Sequence, residues 1–378
     1  MSFQGSQPVA IVATAQTQWR SSWSQAQHID LIAAAVQNAL KGSGLDIRDV
    51  DFVIDSGSDV LDGRSISNCG FLGAMGAHHK EESRVEDDGL WAAQYGVAKI
   101  ASGAAQVGLI IAYSKPSESD VRQFYLTMAD PFIQRPIGLD EDSACGLQAQ
   151  RYLHAHQLSS ADLAEVTVAA WRKASSNPTV EIDQVPSVSQ VLASPMVATP
   201  LTRAMMARPV DGAVVIVLAN ASVARRVTAE PVWVKGIGAA MDSSVFAMRD
   251  AQLDVCRQAA QKAYARAGLS PAQMDLAETS ATSAAAELMT LEALGLAEPG
   301  KAIDLFRQGR DASINASGGA LPANPIMATG LVRLSEAAQA LWGQRGSGTK
   351  SSRRAVVHAS SGIAAQSHCV FVVEVERP

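Results

Sequence analysis

The run Ile314-Asn315-Ala316-Ser317-Gly318-Gly319-Ala320-Leu321-Pro322-Ala323-Asn324-Pro325-Ile326-Met327-Ala328-Thr329-Gly330 leads directly into an apolar, periodic segment, Leu331 to Leu341. Paired glycines let a backbone come close to another group. The segment then opens a helix, whose first N–H groups lack partners within it and favour an anion or developing negative charge. Gly-Gly and Asn-Pro also serve as plain punctuation between a strand and a helix. The rest of the chain decides between these readings.

With 378 residues, 47% hydrophobic and 18% charged, the chain has material for two ordinary domains or one duplicated architecture around a shared core. A net charge of −6 and the lack of a long basic run argue against nucleic acid and against an anionic membrane surface as partners. The start, Met1 to Pro8, has neither the basic residues nor the apolar stretch of a secretory signal, and no apolar run has the length of a membrane span. The expected location is cytoplasmic. Cys69, Cys145, Cys256 and Cys369 are scattered, and the close histidine sets, His78-His79 and His154/His156, lack ligand spacing. Neither a disulfide framework nor a metal site is expected.

Pro8 to Ala13 reads as a buried strand, Ile29 to Leu40 as an amphipathic helix stopped at Gly42 to Gly44, and Asp51 to Ser56 as a second strand. The pattern returns later: Pro231 to Val234, then Cys256 to Gly268, then Met274 to Ser280. Ala39 to Leu45 aligns without a gap on Ala263 to Leu269, and Asp51 on Asp275. A repeat this long is a duplicated half, since solenoid units recur at roughly 20 to 50 residues. Short buried strands alternating with helices argue for parallel sheets covered on both faces, stacked as α/β layers. Leu90 to Ala104 predicts a helix buried on several sides, and Val107 to Ala112 a central strand. From Tyr113 to about Thr202 prolines become frequent, with helices around Cys145 to His156 and Ala161 to Ala174. That segment reads as an insert lying over a site.

The opening loop resembles the C-terminal active-site loop of the thiolase superfamily, especially its sterol-carrier-protein-type branch. There an N-x-x-G-G run precedes G-H-P and then a T-G or S-G pair. Asp130 to Pro136 and Asp211 to Leu218 are also similar to that branch. The resemblance implies a thiolase fold of class α/β: two duplicated halves stacked as αβαβα layers with an inserted loop domain. Residues 1–115 with 206–228 form the N-terminal half, 116–205 the insert and 229–378 the C-terminal half.

It also implies four loops meeting between the halves, and the usual groups are replaced in each. Where a C-x-S-G cysteine starts the buried helix, the chain reads Val85-Glu86-Asp87-Asp88-Gly89, with Glu86 in the cysteine's place. Glu86, Asp87 or Asp88 is then a general base, or else an ordinary helix cap. Ser280 replaces the Asn or His of the second loop. Asn324 stands where the G-H-P histidine would be; it can donate to an oxyanion but takes no proton at neutral pH. Ser360 takes the place of the C-x-G cysteine, with His358 just before it. Gly318 and Gly319 are the candidate cofactor-contacting positions, and no cofactor is expected beyond coenzyme A as part of the substrate.

These replacements argue against ordinary thiolysis. The first reading is an acyl-CoA enzyme doing carbon–carbon chemistry without an acyl-enzyme, with retro-aldol cleavage of a 3-hydroxyacyl-CoA as the candidate. The second is a non-catalytic subunit supporting a catalytic thiolase or a small OB-fold/zinc-ribbon partner. A third, an acyltransferase using Cys145, is disfavoured because Asp140, Glu141 and Asp142 beside it would raise the thiol pKa. The family implies a homodimer, or a hetero-oligomer with a thiolase-like or OB-fold/zinc-ribbon subunit.

Overall fold

The computed structural model describes residues 7–249, 252–344 and 352–377; Met1–Ser6, read above for signal character, lie outside them. The first half contains β1 (Val9–Gln16), α1 (His28–Ser43), β2 (Phe52–Ser56), α2 (Asp59–Asp62), α3 (Leu72–Met75), β3 (Glu81–Val85), α4 (Gly89–Ala101) and β4 (Val107–Ser114). The chain then departs through α5 (Val121–Met128), α6 (Glu141–His156), α7 (Ser160–Ala174), α8 (Val188–Ala193), β5 (Met196–Ala198) and β6 (Leu201–Thr202). It returns as β7 (Gly212–Asn220) and α9 (Ala221–Val227). The second half follows as β8 (Val232–Met241), α10 (Asp254–Ala267), β9 (Leu276–Thr279), α11 (Ala284–Ala293), α12 (Ala302–Arg307), α13 (Thr329–Leu341), β10 (Arg354–Ser361) and β11 (Ser367–Val375).

The duplication is visible in the pairing. Strands run in the order β3-β2-β4-β7-β1-β8-β11-β10-β9. Within it β2-β4-β7-β1 and β9-β10-β11-β8 repeat one pattern, a parallel pair followed by two antiparallel pairs. Among the described residues, the halves touch along the ladder at Ala10↔Trp233 and Ile11↔Val232. The sheets are therefore mixed and not parallel, which corrects the expectation from alternation. An apolar run reports burial on both faces and is blind to strand direction. Direction is set by the connections: β7 returns after the insert, and β11 follows β10 through the tight turn at Gly362 to Gln366.

Side-chain alternation sorts the layers. One core unites Ile54, Ile110 and Ile216 of the first half with Val357, Phe371 and Val373 of the second, and holds Leu90 and Val97 of α4 against Leu331 and Leu334 of α13. The opposite face of the first sheet packs on α1. The opposite face of the second packs on α10 and α11. The result is five layers, α-β-α-β-α, with α4 and α13 in the middle. Although the insert leaves from the first half, its α6 and α7 build on the second, joining Tyr152 and Leu163 to Leu288 and Ile303. Tyr152 also donates to Glu292 at 2.6 Å.

Local chemistry is repeated along with topology. Gly44 and Gly268 end α1 and α10 in the left-handed conformation, at φ 68° and 66°. Asp51 accepts from the backbone N–H groups of Gln106 and Val107 at 2.7 and 3.0 Å, and Asp275 from those of Arg353 and Arg354 at 2.8 and 3.0 Å. Each aspartate satisfies donors at the start of the parallel strand that lies on the inner side of its own, β4 in the first half and β10 in the second. Where the halves differ, glycine explains it. A Cβ on Gly236 or Gly238 of β8 would lie 2.1 or 2.0 Å from a carbonyl oxygen of α10, so this helix rides closer to its sheet. Among the described residues, no helix is long and apolar enough to cross a membrane.

If Asp51 and Asp275 do the same work, Asp51→Ala and Asp275→Ala should each lose about 1 kcal/mol in urea unfolding, and the double variant the sum within about 0.5 kcal/mol. A loss confined to one of them would contradict the equivalence.

Candidate active site

The two central helices begin beside one another, and one carboxylate serves both. Asp88 is the N-cap of α4: its Oδ1 accepts from Leu90 N at 2.9 Å. The same carboxylate takes the N–H of Gly330, in the first turn of α13, at 3.1 and 3.0 Å. Helix α13 has no side-chain cap of its own. Such closeness requires glycine on both helices. A Cβ on Gly330 would sit 2.2 Å from Asp88 Oδ1, and one on Gly89 would sit 2.6 Å from the Cβ of Leu331. Burial is the main cause lifting Asp88 to a pKa of about 7, while the Gly330 and Leu90 N–H groups oppose it.

The expected loops meet, but two of the expected side chains, Glu86 and His358, turn away from their junction. Ser280 and Ser360 meet on adjacent strands: Ser360 Oγ donates to Ser280 O at 3.2 Å, and Ser280 N to His358 O at 3.1 Å. Asp87 is hydrogen-bonded to Ser361, so the acidic loop touches the C-terminal one, and burial raises its proton affinity. The loop before α13 is tied in by Met327 O, which accepts from Gly89 N and Ser56 Oγ at 2.8 Å each. Glu86 turns away. It is exposed, accepts from Asp59 N at 2.7 Å and pairs with Arg84 at 3.2 Å. The side chain in the cysteine's place thus points out of the junction, because Arg84 gathers Asp55, Asp59, Asp62 and Glu86 around itself.

Asn324 borders a cavity of about 250 Å³ between the insert and the second half, together with Thr282, two residues beyond Ser280. Its Oδ1 accepts from Thr329 Oγ1 at 2.6 Å. In this orientation its NH₂ has no acceptor among the described residues, which leaves two donors for a ligand oxygen. The opposite wall holds Tyr125 of α5 and the first turn of α6. There lies a residue the sequence reading treated only as a neighbour of Cys145. Glu141, 6% exposed, accepts from Ala364 N at 2.7 Å and from the Cys145 thiol at 3.2 Å. Cys145 is one turn on along α6, but Ala364 lies 223 positions away, and no spacing rule reports that contact. Burial pushes the Cys145 thiol well up, with Glu141 adding to it, so this sulfur is a protonated donor at neutral pH and no nucleophile.

His358 lies apart from the junction. It is fully buried on the outer face of β10, its Nε2 2.9 Å from His368 Nδ1. Burial holds it well below the usual imidazole range, so it stays neutral. With Cys256 of α10 these two histidines form a set whose ligand atoms lie within 4.8 Å of one another and could hold a metal ion. The two histidines are ten positions apart and Cys256 is far from both along the chain, which gave no ligand spacing to read.

Gly318 and Gly319 also differ from expectation. A Cβ on Gly318 would lie 2.5 Å from Ala174 Cβ and 2.8 Å from its Cα, so the close approach is to α7 and not to a cofactor. Gly319, at φ 71°, is closed off by the Asn315 side chain. Asn315 itself braces the loop against β9, accepting from Thr279 N at 2.7 Å and donating to Glu287 at 2.7 Å. Ser317 and Arg333 clasp Glu278 beside it at 2.7 and 3.0 Å. The glycine-rich run is therefore a packed brace, and the donor it offers outward is Asn324, further on.

The fold agrees with what the chain is similar to. Residues 238–374 match the family described as thiolase C-terminal domain-like. An acetyl-CoA acetyltransferase of Methanothermobacter thermautotrophicus is 27% identical over 90% of this chain and 92% of its own length. A 17-hydroxy-3-oxo-4-pregnene-20-carboxyl-CoA lyase of Mycobacterium tuberculosis is 26% identical over 83% and 84%, and a sterol carrier protein 2 of Gallus gallus 31% over 47% and 35%. A solved structure described as an Ltp2-ChsH2(DUF35) aldolase superposes with a TM-score of 0.83 at 21% identity, covering 98% of each chain. The chain is thus similar along its length to thiolase-superfamily proteins, and over about half of it to the sterol-carrier-protein-type branch.

Asp88→Ala should cost about 2–3 kcal/mol, because it strips the caps from two buried helix ends; Asp88→Asn, which keeps an acceptor, should cost less. The raised pKa gives a sign to test. The folded state holds this proton more tightly than the unfolded one, so the group's stabilising contribution is complete below about pH 4 and is lost as pH rises through about 7. Denaturant midpoints measured across that window should fall less steeply for Asp88→Asn than for the parent.

Proposed function

We propose that this chain acts on acyl-CoA thioesters, making or breaking a carbon–carbon bond without a thiol nucleophile, and that retro-aldol cleavage of a 3-hydroxyacyl-CoA is its reaction. One observation carries the reading: two of the four loops, through Thr282 and Asn324, line a cavity with Glu141, the buried Cys145 thiol is held protonated on that Glu141, and the Asn324 NH₂ has no acceptor among the described residues. That arrangement suits stabilisation of a thioester enolate and does not suit acyl transfer to sulfur. The names of two relatives, a CoA acetyltransferase and a CoA lyase, support the substrate class, and the lyase supports cleavage.

A second reading, a non-catalytic subunit, draws on a different observation: Glu86 and Asp88 are both engaged in structural bonds. The relative described as a subunit, benzoylsuccinyl-CoA thiolase subunit BbsB, supports a hetero-oligomer. In either case we propose assembly with a second copy, a thiolase-like chain or a small OB-fold/zinc-ribbon protein.

Incubation of the purified chain with 3-hydroxyacyl-CoAs should release an aldehyde or ketone and the shortened acyl-CoA, read by mass spectrometry. Thiolysis of 3-oxoacyl-CoAs by free CoA should be undetectable. Asn324→Ala should lower kcat about 100-fold or more with little change in KM, as removal of an enolate donor does. Thiolysis at enzymatic rates, or cleavage indifferent to Asn324, would refute the proposal.

A further inference from the structure

We propose that Glu141, brought in by helix α6 of the insert, is the general base of the cavity it shares with Thr282 and Asn324. The inference rests on the acyl-CoA reading above and deepens it by naming the proton acceptor that the four loops do not supply.

Elimination comes first. Glu86 faces outward on Arg84, and Asp88 is occupied by Leu90 and Gly330 and does not border the cavity. Among the described residues three carboxylates do border it: Asp140, Glu141 and Asp142. Asp140 caps α6 through Ser143 and binds Arg122 at 2.9 Å; Asp142 binds Arg203 at 3.0 Å. Both are ion-paired, and the Ser143 N–H and hydroxyl together with Arg122 hold Asp140 below the usual carboxylate range against the effect of burial. Glu141 forms no ion pair among the described residues.

Its surroundings are those of a tuned base. The donors that hold it are neutral: Ala364 N–H, the Cys145 thiol and the Thr282 hydroxyl. The ionisable groups facing it are Asp142 and Cys145 on its own helix, Tyr125 on α5 and Arg249 ahead of α10. Burial, the largest influence, raises its proton affinity above that of an ordinary carboxylate, which makes it the stronger base. Position adds to this. Ala364 belongs to the turn that follows Ser360, and Thr282 follows Ser280, so Glu141 spans two of the converging loops from the side opposite their strands. The Cys145 thiol donates to Glu141 and thereby favours the ionised form.

The chemistry balances. Glu141 takes the proton of the substrate 3-hydroxyl as the C2–C3 bond breaks, and its electron pair moves into the thioester to give an enolate whose oxygen lies on the Asn324 NH₂. C3 leaves as an aldehyde or ketone. Protonated Glu141 then delivers its proton to C2, releasing the shortened acyl-CoA and regenerating the carboxylate.

The test uses the full chain and butanoyl-CoA, which has no 3-hydroxyl and reports only base chemistry at C2. Its C2–H exchange in D₂O is followed by mass spectrometry, with binding measured in parallel by calorimetry. Wild type should exchange, at a rate that rises with pH through one ionisation. Glu141→Gln, which still accepts the Ala364 N–H, should bind butanoyl-CoA unchanged, exchange at least 100-fold more slowly and lose that ionisation. Cys145→Ala, which leaves the carboxylate in place but removes a donor to its charged form, should shift the ionisation to higher pH, by about half a unit. Binding without exchange in wild type, unchanged exchange in Glu141→Gln, or an unmoved profile in Cys145→Ala would overturn the assignment of Glu141 while leaving the acyl-CoA reading standing. Failure of butanoyl-CoA to bind would overturn both.

Discussion

Everything in the middle layer turns on a single carboxylate facing two helix ends. Helices α4 and α13 start side by side between two sheets, where their unpaired N–H groups and like-signed dipole ends are far from water. Without a shared acceptor that arrangement would be costly. Asp88 supplies it, and Gly89 and Gly330 permit the necessary approach. The four loops at this end are arranged around that contact. The constraint also has a chemical consequence: Asp88 is committed to the two helix ends and does not border the cavity.

Duplication supplies the frame on which this junction rests. Equivalent strands pair in the same sense in both halves, and Asp51 and Asp275 hold the same kind of strand start. Departures from symmetry are local and have steric causes, as with the small β8 glycines under α10. The insert breaks the symmetry on a larger scale. It leaves the first half, packs on the second, and so closes a cavity that neither half encloses alone. Glu141 reaches the converging loops only through that detour.

The histidine pair illustrates how fold position overrides sequence position. His358 is two residues from Ser360, yet strand alternation together with the β10–α10 packing turns it to the outer layer, beside His368 and Cys256. β10 keeps its register on β11 through Ser361, so what separates the two residues is depth along the strand: His358 lies over α10, and Ser360 is one step nearer the turn.

Periodicity and the repeat determined the α/β class, the duplicated halves, the insert, the helix stops at Gly44 and Gly268 and the loops to inspect, because burial on one face or both leaves its mark on consecutive residues. Similarity to a known loop identified Ser280, Asn324 and Ser360 as positions near a junction. Only the tertiary structure decided that the sheets are mixed, that Glu86 faces Arg84, that Gly318 accommodates α7, and that Glu141 meets Ala364 across 223 positions. Those outcomes depend on strand direction, side-chain rotation and contacts between distant segments. None of these alters the local pattern of apolar and polar residues, so the linear order could not contain them.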